Sequence, residues 1–189
     1  MTEIYHSTEY FDGAGYSDYD AQSQALRKTF RNLIKRLQRK NLSGGSLLEI
    51  GCAKGHFLHE AGAYFDRTVG TEYSQAAAEI AAQTGTVIHT GGIESIERDH
   101  QFDRVVAFHV FEHVYEPRPF LTRIAELLKP GGHVLLAVPP FDSSWRKVLG
   151  SRWPSWKFPE HVVFYDRNTW PDLMRVAGFK ELRRITVVY

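Results

Sequence analysis

One cysteine, Cys52, stands in 189 residues, so no intrachain disulfide can form, as suits a reducing compartment. No apolar run approaches the roughly 20 residues that span a bilayer. The first residues lack the pattern of a secretory leader. Both readings point to a cytoplasmic chain without membrane attachment. Charge of one sign is lacking too. Lys and Arg number 23, Asp and Glu 22, and the net charge is +1, which leaves no overall field to draw in nucleic acid or anionic lipid. The nine histidines are scattered without His-x-x-x-His or finger spacing, so no metal is expected. No internal repeat or low-complexity tract occurs. The length suits one domain over 1–189 with a sizeable core.

What is present centres on Leu47-Leu48-Glu49-Ile50-Gly51-Cys52-Ala53-Lys54-Gly55-His56-Phe57-Leu58. The stretch starts apolar, turns glycine-rich and continues as a helix-compatible run. A strand passing through glycines into a helix is how α/β folds bind nucleotides at the carboxyl ends of parallel strands. Gly51 and Gly55 allow a sharp turn and close approach to a ligand. The dinucleotide spacing Gly-x-Gly-x-x-Gly is absent; the chain reads Glu-x-Gly-x-Ala-x-Gly. Cys52 reads as a small space-filler within it.

Residues 1–20 carry Tyr5, Tyr10, Phe11, Tyr16 and Tyr19 without a period, an arm packed on the domain or a lid over a ligand. Over 21–40, Leu26, Phe30, Leu33, Ile34 and Leu37 recur at helical spacing, with a basic outer face. Strands follow at Arg67–Glu72, Thr86–His89, Asp103–Phe108 and His133–Val138. Helices are expected to Tyr64, over Gln75–Gln83 behind a Ser74 cap, and over Pro117–Leu128 before Lys-Pro-Gly-Gly. This alternation predicts a mostly parallel sheet with helices on both faces. Residues 45–140 form the core of the reading. Residues 141–167 are aromatic and irregular, which suggests a functional loop. A last helix over 168–177 and a closing strand over 180–189 complete the chain, with no obvious last antiparallel strand. Glu72 ends the second strand about twenty residues after Gly51, where an acid can take both ribose hydroxyls of a nucleoside. That suits nicotinamide and S-adenosylmethionine cofactors alike.

The Glu-x-Gly-x-Ala-x-Gly loop resembles motif I of the class I S-adenosylmethionine-dependent methyltransferases, with Ala53 for the middle glycine. Phe102-Asp103-Arg104-Val105-Val106, Glu112-His113-Val114, Pro117, Leu121 and Leu128-Lys129-Pro130-Gly131-Gly132 resemble the ordered motifs of its small-molecule members, the ubiquinone-biosynthesis type among them. Pro139-Pro140, Ser143, Trp153, His161, Phe164 and Gly178-Phe179 are similar to the tail of one large subgroup. The resemblance covers roughly 45–180. It implies a Rossmann-like three-layer α/β/α sandwich, strand order 3-2-1-4-5, with a closing edge.

It also implies S-adenosyl-L-methionine as cofactor and S-adenosyl-L-homocysteine as product. The residues expected at the cofactor are Glu49, Gly51, Cys52, Ala53, Gly55 and Phe57; then Glu72 and Tyr73; then Gly92, Ile93 and Glu94; then Phe108, His109, Val110 and His113. Gly92 stands where the family often holds an acid near the adenine amine, Ile93 could pack on the ring, and Glu94 reads as capping the next turn. His113 and His161 are the candidate bases, each with a structural alternative. Tyr16, Tyr19, Trp145, Trp153 and Trp156 are the candidate acceptor wall. Glu112-His113 and Glu160-His161 hold suitable metal ligand types, but no spacing forces them together. The implied reaction is O- or N-methylation of a small molecule. The alternatives are a cofactor-binding protein without transfer and, without its glycine signature, a nicotinamide oxidoreductase. A nucleic-acid methyltransferase lacks support, because His109-Val110-Phe111-Glu112 stands where its Asn/Asp-Pro-Pro-Tyr/Phe motif would be. Oligomeric state is not readable.

Overall fold

The computed structural model describes residues 23–180. Tyr16, Tyr19 and all but the first residue of the expected closing strand lie outside them. The first helix, α1 (Ser23–Gln38), buries Phe30, Leu33, Ile34 and Leu37, the positions that fall on one face at 3.6 residues per turn. Its basic side holds Arg27 and Arg31 against Glu60, at 2.7 and 2.9 Å.

Five parallel strands follow: β1 (Ser46–Ile50), β2 (Arg67–Glu72), β3 (Val87–Thr90), β4 (Phe102–Phe108) and β5 (Leu128–Ala137). Their spatial order is β3-β2-β1-β4-β5, as the resemblance implied. Between them run α2 (His56–Ala61), α3 (Gln75–Ala82) and α4 (Pro117–Leu127). After the sheet come the short α5 (Ser144–Leu149) and α6 (Thr169–Val176).

Strand alternation divides the core in two. Leu48, Ile50, Val105 and Ala107 pack with Leu121, Ile124 and Leu127 of α4 and Met174 of α6. Leu47 and Val106 pack with Phe30, Leu33 and Ile34 of α1 and Phe57 and Leu58 of α2. All five residues of β1 are buried, as a central parallel strand covered on both faces requires. At its foot, Asp103 Oδ2 accepts from Ser46 N, Ser46 Oγ and Lys129 Nζ, each at 2.8 Å, which ties β1, β4 and β5 together.

Three expectations shift. β3 starts and ends one residue later than expected. Lys129–Gly132 not only ends α4 but already belongs to β5: Phe102 pairs with Leu128 and Arg104 with His133, with an irregular register between. The extra residues are absorbed as a bulge, with Gly131 at φ 78°. The 141–167 segment is not wholly irregular, since Ser143 Oγ accepts from Arg146 N and opens α5.

Candidate active site at the carboxyl ends of the strands

The turn from β1 into α2 alternates its backbone. Gly51, Ala53 and Gly55 have φ of 68°, 47° and 75°, all in the left-handed region that glycine enters freely. Ala53 adopts that conformation despite its methyl group. Space is short as well as angle: a Cβ at Gly51 would lie 2.6 Å from Val110 Cγ2, so the loop after β4 sits directly against this turn. Cys52 is buried, as is Phe57. Phe57 packs against Phe30 and Phe108 at 5.4 and 4.9 Å between centroids, so both rings lie in the core beneath the turn.

Two buried acids flank it. Glu49 is 3% exposed, and its Oε2 has no hydrogen-bond partner among the described residues. Burial first, and the Glu72 charge second, push its carboxyl well above the usual range. Glu72, at the end of β2, accepts from Ala53 N at 2.8 Å through Oε2 and from Ser74 N at 2.9 Å through Oε1. Its pKa is nonetheless raised, because burial outweighs these bonds. Beyond β3, Glu94 Oε1 accepts from Gly92 N at 2.9 Å and from Tyr73 O–H at 2.8 Å. The Glu94 carboxylate therefore reaches back to the position where the sequence has no acid. Ile93 is buried beside it.

The end of β4 carries a second cluster. His109 has φ 56°, and its Nδ1 lies 3.1 Å from Glu112 Oε1. Glu112 is 1% exposed, with Oε2 unpartnered among the described residues. The Glu112 carbonyl accepts from Val162 N and Val163 N, while His113 Nδ1 donates to the Glu160 carbonyl at 2.8 Å. Residues 160–163 are thus laced across 112–113. His161 is buried, donates from Nδ1 to Ser155 O at 2.9 Å, and meets His113 edge-on at 4.9 Å between centroids. Burial, and the neighbouring His113, lower the pKa of His161. So the two candidate bases, 48 positions apart in sequence, share one site.

A family model described as a methyltransferase domain matches residues 21–183. The chain belongs to this methyltransferase family. It is a member of the class I superfamily whose cofactor is S-adenosylmethionine. It is similar to a ubiquinone biosynthesis O-methyltransferase of Bradyrhizobium, 34% identical over 141 residues, covering 69% of this chain and 55% of that one. The chain thus spans about half the length of that relative. An uncharacterised protein of Methanocaldococcus jannaschii is 24% identical over 173 residues, covering 91% and 82%. A Thermotoga maritima structure described as a possible histamine N-methyltransferase has a TM-score of 0.67 at 24% identity, covering 88% and 77%, which shows the shared fold.

In this member of the family the aromatic loop splits into two populations. Trp153 is 6% exposed and packs with Phe141, Trp156 and Phe164 in edge and tilted contacts. Phe164 in turn lies 6.1 Å from the His161 ring. Trp145, by contrast, is 71% exposed. Trp156 is partly exposed and donates from Nε1 to Gly150 O. The residue of this cluster that sequence reasoning missed is Tyr165, whereas Glu112 was named there only as a possible metal ligand type. Tyr165 is buried against Phe111 and Trp170, and its hydroxyl is unpartnered among the described residues. A cavity of about 360 Å³ lined by Arg67, Thr68, Thr84 and Thr86 lies at the amino ends of β2 and β3, away from this chemistry. No helix among the described residues is long and apolar enough to cross a membrane.

Proposed function

We propose that the chain transfers a methyl group from S-adenosylmethionine to an oxygen or nitrogen of a small-molecule acceptor. The observation that carries this reading is the left-handed turn at Gly51, Ala53 and Gly55 held against the buried Glu72 carboxylate. Such a turn presents backbone to a ligand at close range. An acid at that strand end, as Glu72 is, can receive the ribose hydroxyls of a nucleoside. The residues fit the cofactor in a further respect: Glu49 leaves a buried carboxylate oxygen unpartnered beside the turn. Tyr73 and Ile93 offer apolar contact to the adenine, and Glu94 an acceptor for its amine.

When bound, the cofactor supplies an electrophilic methyl group on a sulfonium centre. The protein's share is mostly positioning, which can account for a large part of a transfer rate. An acceptor hydroxyl also needs its proton removed near neutral pH, where imidazole is suited. His113 and His161 each donate from Nδ1 to a carbonyl, which leaves the basic lone pair on Nε2. The similar ubiquinone biosynthesis enzyme is described as an O-methyltransferase, which favours oxygen. The aromatics packed around the buried Trp153 would make a wall suited to an apolar acceptor.

Calorimetric titration with S-adenosylhomocysteine, with NADH as control, tests the cofactor. Micromolar binding of the first alone is expected. Binding with no turnover across phenols, amines and sugars would favour a second reading, a cofactor-binding protein without transfer.

A further inference from the structure

We propose that the outward face of α1 is a docking surface for the ribose–phosphate backbone of structured RNA, independent of the function proposed above. The near-neutral total charge conceals a segregation. Seven of the 23 bases and none of the 22 acids fall between residues 23 and 40. Helical geometry aligns them. At 3.6 residues per turn, Lys28, Arg31, Lys35 and Arg39 share one side, opposite the buried Phe30, Leu33, Ile34 and Leu37. Arg39 N donates to Lys35 O at 3.1 Å, so the helical path runs on through Arg39. All four bases are exposed, as are Gln24 and Asn32 on the same side. From Lys28 to Arg39 the stripe is about 16 Å long, the run of about five phosphates along one strand. Arg104 adds a cation at its far end, where the guanidinium donates to the carbonyls of Leu42 and Asn41 at 3.1 and 3.4 Å.

Ordinary roles account for only part of this charge. Arg27 and Arg31 pair with Glu60, and cations in a last turn favour the helix dipole. Lys28, in the first half of the helix, fits neither role. Among the described residues, no ion pair engages Lys28, Lys35, Arg39 or Lys40.

The chemistry of the face selects its partner. A helix that adsorbs to a membrane turns its apolar side to the lipid. Here that side is spent in the core, and α1 exposes no large apolar residue. Protein partners meet through aromatic-rich centres depleted of charge, and this face offers none. Lys, Arg, Asn and Gln are the side chains that hold phosphate and sugar. The amides of Gln24 and Asn32 both donate and accept, which suits the 2′-hydroxyl that marks RNA. The Arg104 end lies by the amino ends of β1 and β4, away from the turn after β1. The surface therefore anchors a backbone and presents no base to that turn, so little sequence preference is expected.

The test needs no methyl transfer. Full-length protein is titrated into a fluorescein-labelled RNA hairpin, with a DNA hairpin of the same sequence alongside, and anisotropy is read at rising KCl. A Kd of about 1 μM in about 50 mM salt is expected, weakening about 50-fold by about 200 mM, the log–log slope of about −3 that four neutralised phosphates give. The combined Lys28→Gln, Lys35→Gln and Arg39→Gln variant should lose at least tenfold in affinity at the lower salt and flatten that slope by about 2 to 3. The combined Lys147→Gln and Lys157→Gln variant, two exposed bases of the 141–167 segment, should change neither. RNA should bind more tightly than DNA, and Gln24→Ala with Asn32→Ala should narrow that preference. Circular dichroism checks that each variant keeps its fold. No RNA binding at the lower salt, an equal loss in the Lys147 and Lys157 variant, or DNA bound as tightly as RNA overturns the proposal. So does tighter binding to phosphatidylglycerol vesicles than to RNA, which would make the stripe a lipid contact.

Discussion

The Ala53 amide donates to Glu72 Oε2 at 2.8 Å, so the turn after β1 is gripped by the same carboxylate that is proposed to receive the ribose. Glu72 therefore has two tasks, and they can be separated. Glu72→Gln keeps an acceptor oxygen for one amide but presents an NH₂ on the other side. Glu72→Ala removes both. A hydrogen bond to a charged group contributes about 1.5–3 kcal/mol, so Glu72→Ala should weaken S-adenosylhomocysteine by about 10- to 100-fold. Glu72→Gln should fall between. Calorimetry on both variants checks the order, and an affinity unchanged in Glu72→Ala would remove this carboxylate from the cofactor site.

Ala53 is the departure from the family's three glycines, yet it adopts φ 47°, the conformation a middle glycine would take. The backbone pattern has survived the added methyl. A non-glycine residue held there costs of order 1 kcal/mol or more, while glycine loses more entropy on folding, roughly 0.5–1 kcal/mol. Ala53→Gly should thus leave stability within about 1 kcal/mol and S-adenosylhomocysteine affinity unchanged or improved. A tenfold loss of affinity would mean that the alanine methyl itself contacts the ligand. Thermal melts and one titration decide it.

The sheet was legible because β1 and β4 are buried on both faces and read as apolar runs, and because turn residues mark every strand end. Lys129–Gly132 misled for a physical reason: Pro and Gly stop a helix, but nothing local reveals that the next strand has already begun to pair with Phe102. Gly51, Ala53, Gly55 and Glu72 could be named as one site because the β-turn-α unit brings them together by local geometry. The meeting of His113 with His161 could not be read from spacing. It depends on Glu112 and Glu160 lending their carbonyls to the opposite segment, a long-range pairing that leaves no periodic trace. Trp145 and Trp153 looked alike in sequence and differ in structure, since Trp145 lies on the short α5 facing out while Trp153, beyond it, packs among Phe141, Trp156 and Phe164.

That difference is measurable. Trp145 is 71% exposed and Trp153 6%. Removing a buried aromatic ring costs about 3–5 kcal/mol, whereas an exposed side chain away from special features changes stability by about 0.5 kcal/mol or less. Trp153→Ala should lower the urea midpoint strongly and Trp145→Ala hardly at all. Should Trp145→Ala raise the KM for an acceptor while leaving stability intact, the exposed indole belongs to the acceptor wall after all.

Cys52 lies within the cofactor turn and is 4% exposed. Burial above all, with the Glu49 and Glu72 charges added, pushes its thiol far above the ordinary range. The thiolate is the reactive form, and here it scarcely exists at neutral pH. Iodoacetamide should leave the native protein unmodified over hours and add one equivalent in urea. Rapid native alkylation, read by mass spectrometry, would mean that this turn opens on the timescale of the reagent.

Glu60 gives the acid-pH prediction. Its bond to Arg31, and a second to Arg27, bring its carboxyl down to about 2 although partial burial opposes them. A lowered folded-state pKa stabilises the fold above the unfolded value of 4.5, and that stability is lost as pH falls from there through about 2. The two arginines are well exposed, so solvent and salt screen the interaction, and about 1 kcal/mol is the expected size. Glu60→Gln should therefore be less stable than wild type near neutral pH by that amount, with the gap narrowing steadily below about pH 4.5 and shrinking in 1 M salt. Urea midpoints at several pH values give the answer. A gap that stayed constant down to the acid limit would mean that Glu60 acts through packing against α1 rather than through charge.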